Sequence, residues 1–502
     1  MGQLIYTGSD WSFNLLEKAY NECEKIALDE LKLCVYPNQL EIISSEQMLD
    51  AYSSSGLPIL YKHWSHGKHF SIEERNYKKG YTGLAYEIVI NSNPCINYLM
   101  EENTMTMQTM VIAHAAFGHN HFFKNNYLFR QWTDASHIID YLIFAKNYIN
   151  DCEEKHGPEI VEKIIDSCHA IARHGISRYK RPVKLNIFEE TEKKEEREEY
   201  LRKIYNDLWR TVPKTKKQEE EKKDVAFSDP EENVLYFIEK NSPILKSWQR
   251  ELVRIIRKIN QYYYPQYQTK VMNEGWATFT HFYTMNRLYE KELITEGAIL
   301  EFLHMHSGVV YQPNFNNKRY GGFNPYYLGF EMFKDIRRIC ENPTEEDKEW
   351  FPDFANTNWL DTCLNAVANY RDESFIRQFL SPTLIRKMKL FILNNNTEED
   401  HYIVEHIHNK KGYKNIREAL ANQYEVGNMI PDIQVYDAKF KEDRTLVLHH
   451  NINNGKLLNK VTSDVLTHIK RLWGYQVNLE SRENGEIKAA YNTSSAPQLE
   501  IK

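Results

Sequence analysis

The spacing of apolar residues along the chain changes from a helical to a strand-like period. Between residues 11 and 33, apolar side chains recur every three or four positions, which is the period of an amphipathic helix. The same period returns in seven further stretches. These predicted helices cover 100–117, 133–152, 157–175, 244–262, 269–291, 295–306 and 327–341. Because only short extended pieces such as Tyr86–Ile90 interrupt them, the pattern predicts a mainly α N-terminal body with short β pieces.

The last hundred residues predict a C-terminal α+β domain. Short runs that alternate between apolar and polar residues predict its strands, and two helical runs lie between them. The strands are expected at 402–409, 432–440, 444–451, 475–482 and 486–492, and the helices at 414–424 and 463–474. Without the final strand, the order β-α-β-β-α-β matches a ferredoxin-like sandwich. That fold hosts many functions, and here we expect it to regulate the body or to dock a partner.

A charged segment separates two helical parts of the body. Residues 191–235 hold dense charge of both signs, which is typical of an exposed helix followed by a solvated linker, although a partner-binding arm has the same composition. The predicted division is therefore a helical N-terminal part, this charged segment, a second helical part that completes the site, and the α+β domain. Their boundaries are 1–190, 191–235, 236–395 and 396–502.

Composition restricts the location and the partners of the protein. A net charge of −7 with 42% hydrophobic residues predicts a folded protein without a general attraction to nucleic acid. No apolar stretch approaches the roughly 20 residues of a membrane span, and the N-terminal segment lacks the pattern of a secretory signal. The 7 cysteines are dispersed without a CxxC pair, as in reduced cytoplasmic proteins. We therefore expect a cytoplasmic protein.

Three histidines lie close together in a segment that otherwise predicts a buried helix. In a regular helix His114 and His121 share a face, whereas His119 points roughly 140° away from His114. Gly118 weakens the helix locally, and a π-bulge or a helix end there would bring His114 and His119 to one point. His121 is then not part of the site. The spacing is not the HExxH pattern of zinc peptidases.

A later helix offers a carboxylate to this pair. Glu274 and His281 are seven residues apart, so a helix presents both on one face of an otherwise apolar segment. Such buried polar groups are costly unless they are paired or bind a metal. His114, His119 and Glu274 are therefore the candidate ligands of zinc or another divalent ion. His281 is a further ligand, an outer-shell residue or an acid/base.

A rival pattern points to iron. Glu301 and His304 form an E-x-x-H pair, the spacing used in carboxylate-bridged di-iron bundles, but the sequence offers one convincing copy where that architecture needs two. His169 is another candidate ligand beside Cys168. Isolated histidines elsewhere are expected to be structural or exposed. They include His137, His156 and His174.

Long stretches of the chain resemble the SpoVR family, the stage V sporulation protein R group. The resemblance is carried by NPCINYLMEENTMTMQTMVIAHAAFGHNHFFKNNYLF, DSCHAIARHGISRYKRP, VMNEGWATFTHFYTMNRLYEK, EFLHMHSGVVYQP and NPYYLGFEMFKDIRRICENPTEEDKEWFPD. It implies a link to spore cortex formation, or to a starvation and stress response with a serine kinase and a von Willebrand-type protein as partners. It brings no established reaction.

The family pattern also implies which ionisable residues matter. Its histidines and acids match His114, His119, His169, His281, His304, His306, Glu87, Glu274 and Glu301. Thr280 departs from the pattern, which has tryptophan at that position. Histidine is not required at the positions of His121 and His137, which agrees with leaving both out of the site.

Together these observations predict a metal-dependent hydrolase. Zinc, or iron as the alternative, would be held by His114, His119 and Glu274, with His281 and His304 as catalytic groups. Because a bound divalent ion activates water near neutral pH, hydrolysis of an amide bond by a peptidase-like or amidase-like enzyme is the expected reaction. The alternatives are a non-enzymatic scaffold or regulator in a serine-kinase-linked stress pathway, and a di-iron oxidase.

Overall fold

A computed structural model gives the fold of most of the chain. It describes residues 3–54, 57, 59–78, 87–178, 230–317, 320–394, 403–404, 408–453 and 455–493. Two compact units are present, and each is built from two separate stretches. The first unit contains Met1–Tyr148 and Tyr263–Glu425, and the second contains Ile149–Tyr262 and Val426–Lys502. Most of the predicted charged linker lies outside the described residues, and the predicted four-part division stays a prediction.

Helices dominate the described residues, as the apolar period predicted. The first group of α-helices is α1 (Phe13–Lys25), α2 (Ser45–Ser53), α3 (Trp64–Lys78), α4 (Met105–Ile112), α5 (Asn120–Asn125), α6 (Tyr127–Trp132), α7 (Ile138–His156) and α8 (Pro158–Ala170). The next is α9 (Val234–Asn241), α10 (Ser247–Gln268), α11 (Lys270–Glu290), α12 (Glu296–Val309), α13 (Pro325–Glu341), α14 (Glu345–Trp350), α15 (Trp359–Asn369), α16 (Asp372–Phe379), α17 (Pro382–Lys387), α18 (Lys410–Gln423), α19 (Val426–Met429) and α20 (Thr462–Trp473). Two π-helical segments, Ile26–Glu30 and Ala113–His119, extend α1 and α4.

The strands are short and form three sheets. They are β1 (Asn38–Ile43), β2 (Glu87–Ile90), β3 (Cys95–Met100), β4 (Leu393–Asn394), β5 (Ile403–Val404), β6 (Asp432–Asp437), β7 (Leu446–Asn451), β8 (Val477–Glu483) and β9 (Glu486–Asn492). In the first unit, β3 lies between β1, to which it runs parallel, and β2, to which it runs antiparallel. The mainly α body with short β pieces is confirmed. This sheet fixes the position of Glu87, which is the first residue of β2.

Helix α11 lies in the core of the first unit and packs closely against two neighbours. A Cβ on Gly275 would lie 2.4 Å from backbone atoms of Gly329 in α13, so the two backbones touch where these helices meet. On the π-helix that extends α4, a Cβ on Gly118 would lie 2.6 Å from the Cα of Ala277. Each position therefore needs glycine because a neighbouring backbone fills the space of a side chain.

A side chain from a distant helix caps the start of α11. Thr269, which precedes α11, makes no capping hydrogen bond through its own side chain. Instead, the N–H groups of Val271 and Met272 donate to the carboxylate of Asp372 in α16, at 2.9 and 2.8 Å. This carboxylate satisfies two amides that the helix leaves unpaired and is well placed for the helix dipole. Asp372 thus fixes the turn of α11 that leads into Glu274.

Helix α14 begins with a cap from its own first residues. Thr344 is its N-cap and forms a capping box with Asp347. The guanidinium of Arg338 donates two further hydrogen bonds to the Asp347 carboxylate, at 2.6 and 2.9 Å. A reciprocal cap supported by a bidentate ion pair gives this short helix a firm beginning.

The sheet of the second unit contains two pairs of strands, and one helix connects the pairs along the chain. Neighbouring strands of its sheet follow chain order, β6-β7-β8-β9, and α20 connects the parallel pair β7 and β8. The predicted α+β character of the C-terminal part is confirmed, and apart from the short α19 its elements follow the predicted order, but the first strand and the first helix do not join the four-stranded sheet. The segment predicted as the first strand contributes β5, which pairs with β4, and α18 belongs to the first unit. The sheet and its helix therefore have the order β-β-α-β-β.

None of the helices in the described ranges combines the length and the apolar character that a membrane span requires.

We predict that Gly275→Ala destabilises the protein. The added methyl group would collide with the Gly329 backbone, so α11 and α13 must move apart, and overpacking of this kind costs about 1–3 kcal/mol or more. Gly118→Ala should act similarly through Ala277. The matched control is Gly308→Ala in α12, since nothing lies within 4 Å of the position that its new methyl group would take. This change should leave stability unchanged or raise it by up to about 1 kcal/mol. Urea denaturation measures all three; equal midpoints for Gly275→Ala and Gly308→Ala would contradict the close helix contact.

We also predict that Asp372→Ala loosens the start of α11. Removal of the carboxylate leaves two buried amides without an acceptor, which should lower the free energy of unfolding by about 2–4 kcal/mol. Hydrogen exchange should speed up at Val271 and Met272. Thr295→Ala is the control, because Thr295 directly precedes α12 and caps it locally by accepting a hydrogen bond from the N–H of Ala298. Loss of this cap should lower the free energy of unfolding by about 1 kcal/mol. Unchanged exchange at Val271 and Met272 would show that Asp372 is not their cap.

Candidate metal centre

The π-helix brings two histidine side chains to one point. His114 and His119 both lie within the π-helical segment Ala113–His119, and their ring centroids are 4.6 Å apart at an interplanar angle of 85°. A π-helix is bonded from residue i to residue i+5, so residues five apart come close together, unlike those in an α-helix. Of the two alternatives that the sequence left open at Gly118, a π-bulge or a helix end, the structure has the π-helical one. Both rings are buried, with 5% and 7% of their surface exposed.

Each of these imidazoles is held through its Nδ1 atom. His119 Nδ1 lies 2.9 Å from Oδ1 of Asn273, the residue before Glu274 in α11. A carbonyl oxygen can only accept, so His119 donates from Nδ1 and keeps a lone pair on Nε2. His114 Nδ1 lies 2.9 Å from Nδ1 of His281. Such outer partners orient an imidazole and fix its tautomer at a metal site.

The Nε2 atoms face two carboxylates from different elements. His114 Nε2 is 3.2 Å from Oε1 of Glu87 and 3.8 Å from Oε2 of Glu274. His119 Nε2 is 3.5 Å from the same oxygen of Glu274. One donor atom from each of Glu87, His114 and His119 can be chosen so that all lie within 4.8 Å of one another. The cluster thus offers two imidazole nitrogens and two carboxylates within a small volume.

The polar atoms of this cluster are incompletely paired. Oε2 of Glu87 and Oε2 of Glu274 are both buried without a hydrogen-bond partner. A buried carboxylate oxygen without a partner costs several kcal/mol on typical scales. A divalent cation would satisfy both oxygens, and imidazole nitrogen with carboxylate oxygen is a donor set that zinc and iron accept. The residues therefore fit a metal ion.

The electrostatics of the cluster agree with this fit. Burial lowers the pKa of His114 to about 4, so its imidazole is neutral near pH 7, the form that binds metals. Burial raises the pKa of Glu87 well above its usual value, and the charge on Glu274 raises it further. Burial alone would also raise the pKa of Glu274, but the neighbouring His114 and His119 outweigh it and leave that pKa lowered.

A tyrosine from α13 completes one wall of the site. The ring of Tyr326 stacks on that of His114, with centroids 6.3 Å apart. The negative charge of Glu274 raises the pKa of the Tyr326 phenol well above its usual value, and burial adds to this effect. Tyr326 therefore keeps its proton at neutral pH and presents an O–H group beside the carboxylate.

Two further histidines extend the cluster behind His114. His281 Nε2 lies 2.9 Å from Nδ1 of His306 in α12, so three imidazoles form a continuous chain. Burial lowers the pKa of His281 well below its usual value and that of His306 to about 4. Rings of Phe282 and Phe330 lie 4.9 and 4.8 Å from the ring of His306. The chain therefore ends among aromatic side chains.

The structure brings the three predicted ligands together. His114, His119 and Glu274 lie in one cluster, and His281 reaches it by contacting His114. Glu87, which the family pattern implied, enters from β2. Spacing within single helices gave no reason to select Asn273 or Tyr326, because the roles of both depend on contacts between helices.

Other candidates lie elsewhere. His304 is on the exposed side of α12, whereas His306, two residues later, is buried. Glu301 accepts a hydrogen bond of 2.6 Å from the hydroxyl of Thr104, the N-cap of α4. The E-x-x-H pair is therefore not joined to the cluster by any contact seen in the described residues. Cys168 and His169 lie on α8 in the second unit, while all cluster residues belong to the first.

His121 has a structural role, as expected. Its Nδ1 accepts a hydrogen bond of 3.0 Å from the N–H of Cys34, and its ring lies 5.9 Å from that of Trp276. It thus ties the segment after the π-helix Ala113–His119 to the body of the unit, away from the metal-binding atoms of His114 and His119.

Comparison with known proteins agrees with the resemblance seen in the sequence. Residues 10–429 match the family model described as SpoVR like protein, and residues 431–484 match the SpoVR-like C-terminal domain. The chain is 53% identical over 487 residues to the "Uncharacterized protein YcgB" of Escherichia coli (strain K12), a match that covers 96% of this chain and 94% of that protein. No solved structure matches the chain. The chain belongs to the SpoVR family.

Proposed function

We propose that the chain binds one divalent metal ion, zinc first and iron as the alternative, at His114, His119, Glu274 and Glu87, and that it hydrolyses an amide bond there. The observation that supports this is the convergence of two Nε2 atoms on two carboxylates that have unpaired buried oxygens. The Nδ1 anchors of both imidazoles leave those Nε2 atoms available in the way that metal sites require.

The cluster supplies groups for such a reaction. A bound divalent ion acts as a Lewis acid toward a carbonyl group and lowers the pKa of water. Burial raises the pKa of Glu87, so this carboxylate is suited to take up a proton when it is not bound to the ion. The protonated phenol of Tyr326 is suited to donate a hydrogen bond to developing negative charge. The carboxylates are the more accessible members, with 19% and 18% of their side chains exposed for Glu87 and Glu274.

The two residues predicted to be catalytic have different places in this proposal. His281 acts behind His114, where it contacts the Nδ1 atom rather than the metal-binding Nε2 atom. His304 is exposed and takes no part in the proposed site. A di-iron centre built on Glu301 and His304 is not proposed, because Glu301 binds the cap of α4.

A non-enzymatic regulator is the second candidate function. It is favoured by the deep burial of His114 and His119, which resembles the closed environment of a structural metal site more than an open catalytic one. In this case the metal would stabilise the first unit, and the partners implied by the family resemblance, a serine kinase and a von Willebrand-type protein, would bind elsewhere on the chain.

We predict about one zinc or iron per chain in protein purified without added metal or chelator. His114→Ala and Glu274→Gln should lose the metal because each removes a donor atom from the cluster. His304→Ala is the matched control: it also removes one imidazole, but from the exposed side of α12, and should retain full occupancy. Metal analysis by mass spectrometry and thermal unfolding in the presence of zinc measure these outcomes. Full occupancy in His114→Ala, or two irons per chain, would contradict the proposed centre.

We further predict that the zinc-loaded protein cleaves amide bonds in a library of fluorogenic peptides and that a chelator abolishes this turnover. Addition of zinc should restore it, and Glu274→Gln should stay inactive because it does not bind the ion. His304→Ala should match the wild type. If the wild type is fully loaded with metal but hydrolyses no peptide in the library, the peptidase-like reaction is wrong, and the structural-metal alternative is favoured.

A further inference from the structure

Three imidazoles link the candidate metal centre to helix α12. His114 Nδ1 is 2.9 Å from His281 Nδ1, and His281 Nε2 is 2.9 Å from His306 Nδ1. His281, in the middle, is 1% exposed, whereas His114 and His306, at the two ends, keep 5% and 6% exposure through which protons can exchange with solvent. Both distances are those of hydrogen bonds, and each bond holds one proton between two nitrogens.

The protons of the three imidazoles can be arranged in two ways. A neutral imidazole carries one proton, on either Nδ1 or Nε2. If His114 is protonated on Nε2, its Nδ1 accepts from His281, and His281 Nε2 accepts from His306. If His114 is protonated on Nδ1, both hydrogen bonds run the other way, and His306 is protonated on Nε2. The tautomer of His114 therefore determines that of His306.

Metal binding selects one of these orders. A metal at His114 needs a lone pair on Nε2, whereas without a metal Nε2 can donate its proton to Glu87 at 3.2 Å. We propose that His281 and His306 are positioning residues that hold His114 in its metal-binding tautomer, and that metal binding reverses the hydrogen bonds along the chain as far as His306. This proposal rests on the proposed metal centre.

The proton balance of this change is closed. One proton leaves Nε2 of His114 to water, the two bridging protons move one position toward His114, and one proton enters Nε2 of His306 from water. Each imidazole begins and ends neutral. No net charge is therefore buried by the change, which matters because an unpaired buried charge is costly.

The surroundings of His306 favour a change of tautomer over a change of charge. Aromatic rings of Phe282, Phe302 and Phe330 lie 4.9, 5.6 and 4.8 Å from its ring. The ammonium of Lys334 lies over the Phe330 ring at 4.9 Å. Burial disfavours a charged imidazole at His306, and the positive charge of Lys334 adds to this effect. A change of tautomer is thus the response that this environment permits.

Zinc affinity provides the first test. His281→Leu removes the acceptor for His114 and should weaken zinc binding by about 10–100-fold, the usual effect of losing an outer-shell partner. His281→Asn restores a polar atom near the position of Nδ1 and should recover most of this loss. The control is His121→Leu, which removes another buried imidazole, one bonded to Cys34, and should leave zinc affinity unchanged. A structural role for His281 alone would give similar affinities for the Leu and Asn variants and would overturn the proposal.

The tautomer of His306 provides the second test. NMR spectra are recorded on protein labelled with nitrogen-15 at histidine, and the signals that are present in the wild type but absent from His306→Gln belong to His306. Addition of zinc should move the His306 proton from Nδ1 to Nε2, and His281→Leu should abolish this shift. Zinc binding with an unchanged His306 tautomer would overturn the relay and leave the metal centre intact. A wild type that binds no zinc, or a His114→Ala variant that binds it equally well, would overturn both proposals.

Discussion

The close backbone contacts of α11 are the constraint on which the candidate site depends. Gly275 touches Gly329 and Gly118 touches Ala277, so no side chain separates α11 from its neighbours at these points. His114 and His119 lie on the π-helix and Glu274 lies on α11, and their donor atoms are 3.5–3.8 Å apart, while Glu87 joins them from β2. Displacement by one methyl group, on the order of 1 Å, would take the carboxylate of Glu274 out of range of the imidazoles. The absence of a side chain at Gly275 and Gly118 thus lets the elements that carry the candidate ligands lie close together.

Much of this site could be predicted because its main parts lie within single helices. The interval between His114 and His119 and the glycine before His119 indicated either a π-bulge or a helix end, and the structure has a π-helix there. Spacing could not decide between His304 and His306, since residues two apart in a helix point roughly 200° apart and either could face inward. Packing decides in favour of His306. Likewise, the contact between His114 and His281 depends on how two helices pack together, and the spacing of residues within one helix cannot predict this.

The C-terminal part shows the same limit in β structure. Alternation of apolar and polar residues identified β6, β7, β8 and β9, and the helical period identified α20, because both patterns are local. Strand order depends on which edges pair, and these contacts connect residues far apart in the sequence. Strand β5 pairs with β4 rather than with the larger sheet, so a correct series of elements gave a wrong topology. The error lay in the assumption that neighbouring elements belong to one sheet.

The buried polar groups of the first unit differ in how their burial is compensated. His281 and His306 are neutral and bonded, so their burial requires no ion. His119 is bonded to Asn273 and is likewise satisfied on one side. The carboxylates of Glu87 and Glu274 each retain an unpaired buried oxygen, and negative charge on both would be repulsive. A proton shared between Glu87 and Nε2 of His114 relieves the repulsion, but it leaves the lone pair on Nε2 of His119 facing the unpaired oxygen of Glu274. A divalent cation satisfies the nitrogens and the oxygens together, which is the physical reason to expect one there.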